Sequence, residues 1–334
     1  MSTSKVNDSP RIFYLAYDHN VPRGGQKATY QHVDALNKHG YDAFVVHGTY
    51  DNKVTWFPHA TRVIDRSTFT RLYSPIDFVV VPEDLGMKIF WVPGKKVIYN
   101  KGVALGFRAL GLDISTPTPY EQPEVVAILA ASPHNARQLK FACPDKDIYV
   151  TYLPLDVDVL PFVTLASKAP LIAYVPKNIG LLTWVANIAR SRSQRGLNKL
   201  GAFKLLELGH LPREQYLDAL KRALAVLFLN VEEGIGFTAV EAMACGALLI
   251  GFRGKGVVED IYPQHEQLKI LDPIPLVTRL EEITFSFPHG ISKFQAEADS
   301  GRQYALRFSY DLHESSVISA WKQIFERWGQ TIFC

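Results

Sequence analysis

Short apolar runs alternate with longer amphipathic stretches along almost the whole chain, and this rhythm restricts the fold more than any other feature. "IFYLAY" is followed by "TYQHVDALNKHG" and "DAFVVHG", then come "DFVVVPE", "KKVIYN" and "VVAILAAS". Runs of that length between helical stretches read as strands of parallel βαβ units, because parallel neighbours need a crossover and a helix supplies it. The proline-bearing segment "TYLPLDVDVLPFVTLASKAP", Thr151 to Pro170, interrupts the rhythm, and "LIAYVP", "FKLLELG", "LAVLFLN" and "ALLIGF" restart it. With 334 residues the chain exceeds one ordinary core, so two α/β domains are expected, residues 1–160 and 161–310. Residues 311–334 form a final helix. There Val317, Trp321, Ile324, Phe325 and Trp328 recur at helical spacing, an apolar face suited to packing on a domain or, less readily, to a membrane surface.

Charge and cysteine content narrow the function classes. A net charge of +3 offers no extended basic face, and no nucleic-acid partner is expected. The three cysteines, Cys143, Cys245 and Cys334, are odd in number and far apart, which argues against a disulfide framework or a zinc site. The polar start "MSTSKVNDSP" has no signal-peptide core, and no apolar run is long enough to span a bilayer. The expectation is a cytoplasmic protein without a transmembrane segment, peripheral membrane contact remaining open.

The stretch "VEEGIGFTAVEAMACG", Val231 to Gly246, carries the most chemistry. "LAVLFLN" reads as a buried strand, "FTAVEAMAC" as a helix ended by Gly246, and "ALLIGF" as the next strand, so the stretch is the turn and helix of a βαβ unit. Such turns at strand carboxyl ends are where parallel sheets bind ligands. Gly234 and Gly236 let the backbone approach a ligand, and amides entering the helix suit a phosphate. An ionised glutamate accepts two hydrogen bonds, which matches a sugar diol. Glu233 and Glu241 are thus candidates, although either alone is equally a dipole partner at a helix start.

Together these residues are more specific. Glu233, seven intervening residues, Glu241 and "AMACG" closely resemble the signature of retaining nucleotide-sugar glycosyltransferases of the GT-B fold. The likeness runs back through "LGHLPREQYLDALKRALAVLFLN" and forward to "GFRGKGVVEDI", roughly Phe203 to Ile261. It implies two Rossmann-like domains facing across a cleft, the final helix returning to the first. Glu233 would lie beside the donor sugar, and Glu241 would hold the ribose. Gly234, Ile235, Gly236, Phe237 and Thr238 would line the donor.

In the N-terminal half "IFYLAYDHNVPRGGQKATYQHVDAL" reads as strand, loop, glycine pair and helix. Gly24 and Gly25 are candidates for donor phosphate, and His19 in the same loop is an acceptor candidate, although a plain turn and a surface histidine explain them too. Lys177 in "LIAYVPKN" matches the basic residue that neutralises the donor diphosphate in the family. The usual second cation about five residues on is missing, the next basic residue being Arg190. Asn100 and Lys101 stand where many relatives place a sugar-contacting histidine.

The resemblance implies hexosyl transfer with retention from a nucleoside diphosphate sugar to a glycan, lipid-linked or small-molecule acceptor, as in polysaccharide biosynthesis. Catalysis would rest on Glu233 and Lys177, with no cofactor and no metal. A nucleotide-sugar epimerase on the same fold, and a non-catalytic sugar-nucleotide-binding subunit, are the alternatives.

Overall fold

The computed structural model describes residues 9–49, 54–230, 236–251 and 272–330. The chain divides into two compact units, Met1–Leu153 together with Asp311–Cys334, and Pro154–Tyr310.

The first unit is built on a seven-stranded sheet: β1 (Ile12–Leu15), β2 (Ala43–His47), β3 (Val63–Asp65), β4 (Phe78–Pro82), β5 (Lys95–Asn100), β6 (Val125–Ala130) and β7 (Ile148–Val150), in the order β3-β2-β1-β4-β5-β6-β7. All its pairings are parallel, with Ile12 beside Ala43 on one side and Phe78 on the other. Every residue of β4, β5 and β6 is buried; β4 and β6 accordingly read as unbroken apolar runs rather than as alternating ones, while β5 buries Lys95, Lys96 and Asn100 beside Val97, Ile98 and Tyr99. Four helices follow strands: α1 (Gly24–Lys38), α2 (Arg66–Leu72), α3 (Val103–Arg108) and α4 (Pro133–Ala142). Asp65 and Ser132 cap α2 and α4 by accepting the amides of Thr68 and Asn135. The apolar stripe of α1, with Ala28, Val33 and Leu36 fully buried, is the amphipathic pattern legible in the sequence.

Among the described residues the second unit holds a four-stranded parallel sheet of β8 (Ala169–Tyr174), β9 (Lys204–Glu207), β10 (Ala223–Phe228) and β11 (Leu248–Gly251), in the order β11-β10-β8-β9. Its helices are α5 (Ile179–Ser193), α6 (Arg213–Arg222), α7 (Phe237–Ala244), α8 (Pro273–Ser286) and α9 (Gln295–Ala305). The core joins Val185 and Ala189 of α5 to Leu224 and Leu227 of β10, Leu248 and Ile250 of β11, and Leu276, Leu280 and Ile283 of α8. Strand β9 is the exposed edge.

The last helix, α10 (Tyr310–Trp328), completes the first unit. Val317, Trp321 and Ile324 are fully buried on it. The Trp321 indole N–H donates to the Tyr14 hydroxyl at 3.0 Å, and Phe325 stacks on Phe78 at 5.1 Å. At its carboxyl end the buried Lys95 ammonium donates to the carbonyls of Trp328 and Gly329 at 3.1 and 3.4 Å. A cation there complements the negative end of the helix dipole. The apolar face seen in the sequence is therefore core.

Candidate functional site

Parallel sheets bind ligands outside strand carboxyl ends where the strand order reverses, and in the second unit that point lies between β8 and β10. Both strands lead from there into helices. The loop after β8 passes Lys177 and enters α5 through Asn178, whose φ of 56° is left-handed; α7 is entered through Gly236 at φ 66°. Glycine adopts that conformation without a Cβ clash, which accounts for Gly236 at this step. Neither Asn178 nor Gly236 gives its helix a side-chain cap. Helices α5 and α7 thus follow adjacent strands of the sheet, and the partial positive charge of their first-turn amides favours an anion. Lys177 adds a cation to this edge. Its side chain reaches the surface, yet partial desolvation by the surrounding protein lowers its pKa.

Glu241 sits on α7, on the side that faces α6. Arg213 Nη1 donates to its Oε1 at 3.1 Å, and the Tyr216 hydroxyl donates to its Oε2. Tyr216 also meets the Thr238 hydroxyl at 3.2 Å, tying the first turn of α7 into the same network. Burial, and next to it the charge of Glu241, push the Tyr216 phenol pKa far up, so it stays a donor. The side chain of Glu241 is 12% exposed, enough to meet a ligand while its orientation is held. Phe237 and Thr238, also expected at the donor, are half-buried in the same turn. Glu233, Gly234 and Ile235 lie outside the described residues.

In the first unit the strand order reverses between β1 and β4, and α1 begins beside that point with Gly24 and Gly25. A Cβ on Gly25 would approach Lys101 Cε to 3.1 Å, so glycine allows the close passage of this helix start past the lysine. The Lys101 ammonium pairs with the buried Glu83 carboxylate at 2.9 Å, and Glu83 also accepts the amides of Lys101 and Gly102 at 2.9 and 3.0 Å. Tyr17, after β1, donates to Asp84, after β4, at 3.1 Å. His19 is half-buried in this loop, its carbonyl accepting Gln26 Nε2 at 2.7 Å. Asn100 is fully buried beneath this edge and donates to the Tyr120 hydroxyl at 3.2 Å, whereas Lys101 reaches the surface.

Other features lie apart from these edges. A cavity of about 430 Å³ lies between α6 and the β8–β9 side of the sheet, floored by Leu171, Leu206 and Ala219 and rimmed by Lys204, Glu214 and Asp218; it contains none of the expected site residues. Two Asp-x-Asp tripeptides occur. Asp147 of the first precedes β7, at the amino edge of the sheet, and pairs with Arg327 at 2.7 Å; Asp156 of the second opens a turn at Val157–Val159. Among the described residues no group of three His, Cys, Asp or Glu side chains is placed to hold a metal ion, and no helix is long and apolar enough to cross a membrane.

No protein-family model matches the chain, and no curated protein matches it in sequence. Solved structures do match. The sucrose-phosphate synthase of Thermosynechococcus elongatus superposes with a TM-score of 0.69 at 14% identity, over 95% of this chain and 100% of that one. A glycosyltransferase from Rickettsia africae ESF-5 gives 0.63 at 12%, over 95% and 99%. The pneumococcal O-GlcNAc transferase in complex with UDP and GlcNAc gives 0.60 at 9%, over 97% and 100%. The fold is GT-B. At such identities the likeness speaks for architecture, and function rests on the site.

Arg213, Tyr216 and Glu83 are not among the candidates that the sequence singles out. Arg213 and Tyr216 are three apart in "PREQYLDALKR", hence on one face of a helix, and that spacing was the available signal. Nothing local shows that this face meets Glu241.

Proposed function

We propose that the chain is a glycosyltransferase that moves a hexosyl group from a nucleoside diphosphate sugar to an acceptor hydroxyl. The observation that carries this reading is the pairing, at one switch point, of uncapped helix starts beside Lys177 with a firmly held carboxylate on α7. The first arrangement suits a diphosphate and the second a ribose diol. The shared fold, and a neighbour solved with UDP and GlcNAc, support the same reading.

Donor cleavage builds negative charge on the leaving diphosphate. Lys177 and the first-turn amides of α5 and α7 stabilise that charge as it develops, with dipoles already oriented before reaction. Gly24 and Gly25, at the start of α1, are assigned to phosphate, and His19 to the acceptor. Glu233 is assigned to the donor sugar, where a carboxylate opposes positive charge growing at the anomeric carbon. Retention follows if the departing phosphate takes the acceptor proton, so no protein base is named. Because protein groups meet the diphosphate charge, turnover should survive EDTA.

A thermal-shift screen of nucleoside diphosphates and their sugars tests this. A ligand at 100 times its dissociation constant stabilises the native state by about 2.7 kcal/mol. The active donor should then yield a glycosylated product on an acceptor panel. Absence of any shift across the screen would overturn the proposal, and a new free sugar nucleotide from donor alone would favour an epimerase.

A further inference from the structure

Glu241 is held from two sides, and the manner of holding goes further than the presence of a carboxylate. Arg213 takes Oε1 and Tyr216 takes Oε2, both from the first turn of α6. The Tyr216 hydroxyl has one hydrogen. A carboxylate has none to give back, and Tyr216 lies closer to Glu241 than to Thr238, so the hydrogen goes to Glu241 and the Thr238 hydroxyl donates to the tyrosine oxygen. The Arg213 guanidinium also stands 5.5 Å from the centre of the Tyr216 ring. Threonine, tyrosine and arginine thus form one chain of contacts around a single carboxylate.

Each carboxylate oxygen has about two acceptor directions, so after these donors each keeps one. Two acceptor directions on adjacent oxygens match a vicinal diol. A glutamate without such bracing would spread over several rotamers and lose entropy on meeting the diol.

We propose that Tyr216 and Arg213 are positioning residues that aim the Glu241 carboxylate at the 2′,3′-diol of a ribonucleoside diphosphate, and so make this site select ribonucleotide over 2′-deoxyribonucleotide donors. The inference rests on the functional reading above and assigns it a selectivity and two further residues. A brace that served stability alone would weaken both nucleotide forms by the same factor. A brace that aims the carboxylate affects the ribose form.

The test is calorimetric titration of wild type, Tyr216→Phe and Arg213→Gln with UDP and GDP, each against its 2′-deoxy form. Wild type should prefer one ribose form over its deoxy counterpart by about tenfold or more, the worth of a charge-assisted hydrogen bond. Tyr216→Phe keeps the ring and should reduce that preference several-fold while leaving affinity for the deoxy form near its wild-type value. Arg213→Gln should act in the same direction, and Arg213→Lys should restore part of the preference. Equal losses for both forms in Tyr216→Phe and Arg213→Gln, at an unchanged ratio, overturn the positioning role and leave the glycosyltransferase reading intact. Wild type that binds no nucleoside diphosphate overturns both.

Discussion

Lys177 and Glu241 occupy the same edge of the second unit but meet different parts of the proposed donor, and this separates their expected phenotypes. Lys177→Ala removes a charge facing phosphate, so it should weaken nucleoside diphosphate by about 10- to 100-fold and nucleoside little. Equal weakening of both would place the lysine elsewhere. Glu241→Gln should act on donor affinity, costing roughly 2–4 kcal/mol. Glu233→Gln should act on turnover at saturating donor, because its interaction grows as the anomeric carbon becomes positive. Rate and binding measurements on the two variants separate the roles, and identical profiles would remove the distinction. Glu233 and Glu241 were legible as candidates because they belong to one short stretch of sequence, of which Glu241 lies among the described residues and Glu233 does not. Their partners were not: Arg213 and Tyr216 are 28 and 25 residues away from Glu241, and no local pattern encodes which helix face turns toward α7.

Helix α7 is anchored at its carboxyl end. The buried Lys168 ammonium donates to Cys245 O at 2.8 Å and, in α6, to Lys221 O and Leu220 O at 2.9 and 3.3 Å, while Arg302 donates to Ala244 O at 2.8 Å. Cations there complement the negative end of the helix dipole. Lys168→Met leaves three carbonyls without this donor and should cost about 2–4 kcal/mol at pH 7. Burial pulls the Lys168 pKa down to about 8, below its ordinary 10.5. Between pH 8 and 10.5 the unfolded chain therefore binds more protons than the native one, so this lysine makes stability rise with pH across that window. The variant lacks the rise. Denaturant midpoints at pH 7 and 10 should show wild type gaining on Lys168→Met by up to about 3 kcal/mol; a constant gap would show that the pKa is not lowered. The strands and helices themselves were readable from periodicity, since β4, β6 and β10 are continuous apolar runs and α1 a clear stripe. The lysine braces were not, because a lysine that ends up buried against carbonyls has the same one-letter code as a solvated one.

At the scale of the molecule, the first unit contains both ends of the chain and the second is the single span Pro154–Tyr310. Each has its own core: that of the first includes Val79, Ile98 and Ile128, that of the second Val185, Leu224 and Ile250. Separate cores allow separate unfolding transitions, and substitutions can assign them. Trp321→Ala empties a fully buried site against Tyr14 and Phe78 and should cost about 3–5 kcal/mol in the first unit alone. Lys168→Met should lower the transition of the second alone. The proposed diphosphate and ribose contacts of Lys177, Glu241 and the starts of α5 and α7 all belong to the second unit. A nucleoside diphosphate at 100 times its dissociation constant should therefore raise the Lys168-sensitive transition by about 2.7 kcal/mol, with the Trp321-sensitive one moving much less. Scanning calorimetry of the full chain with and without ligand reads all of this in one experiment. If ligand raises the Trp321-sensitive transition instead, the nucleotide site has been assigned to the wrong sheet. If both substitutions move a single common transition, the two cores do not unfold independently.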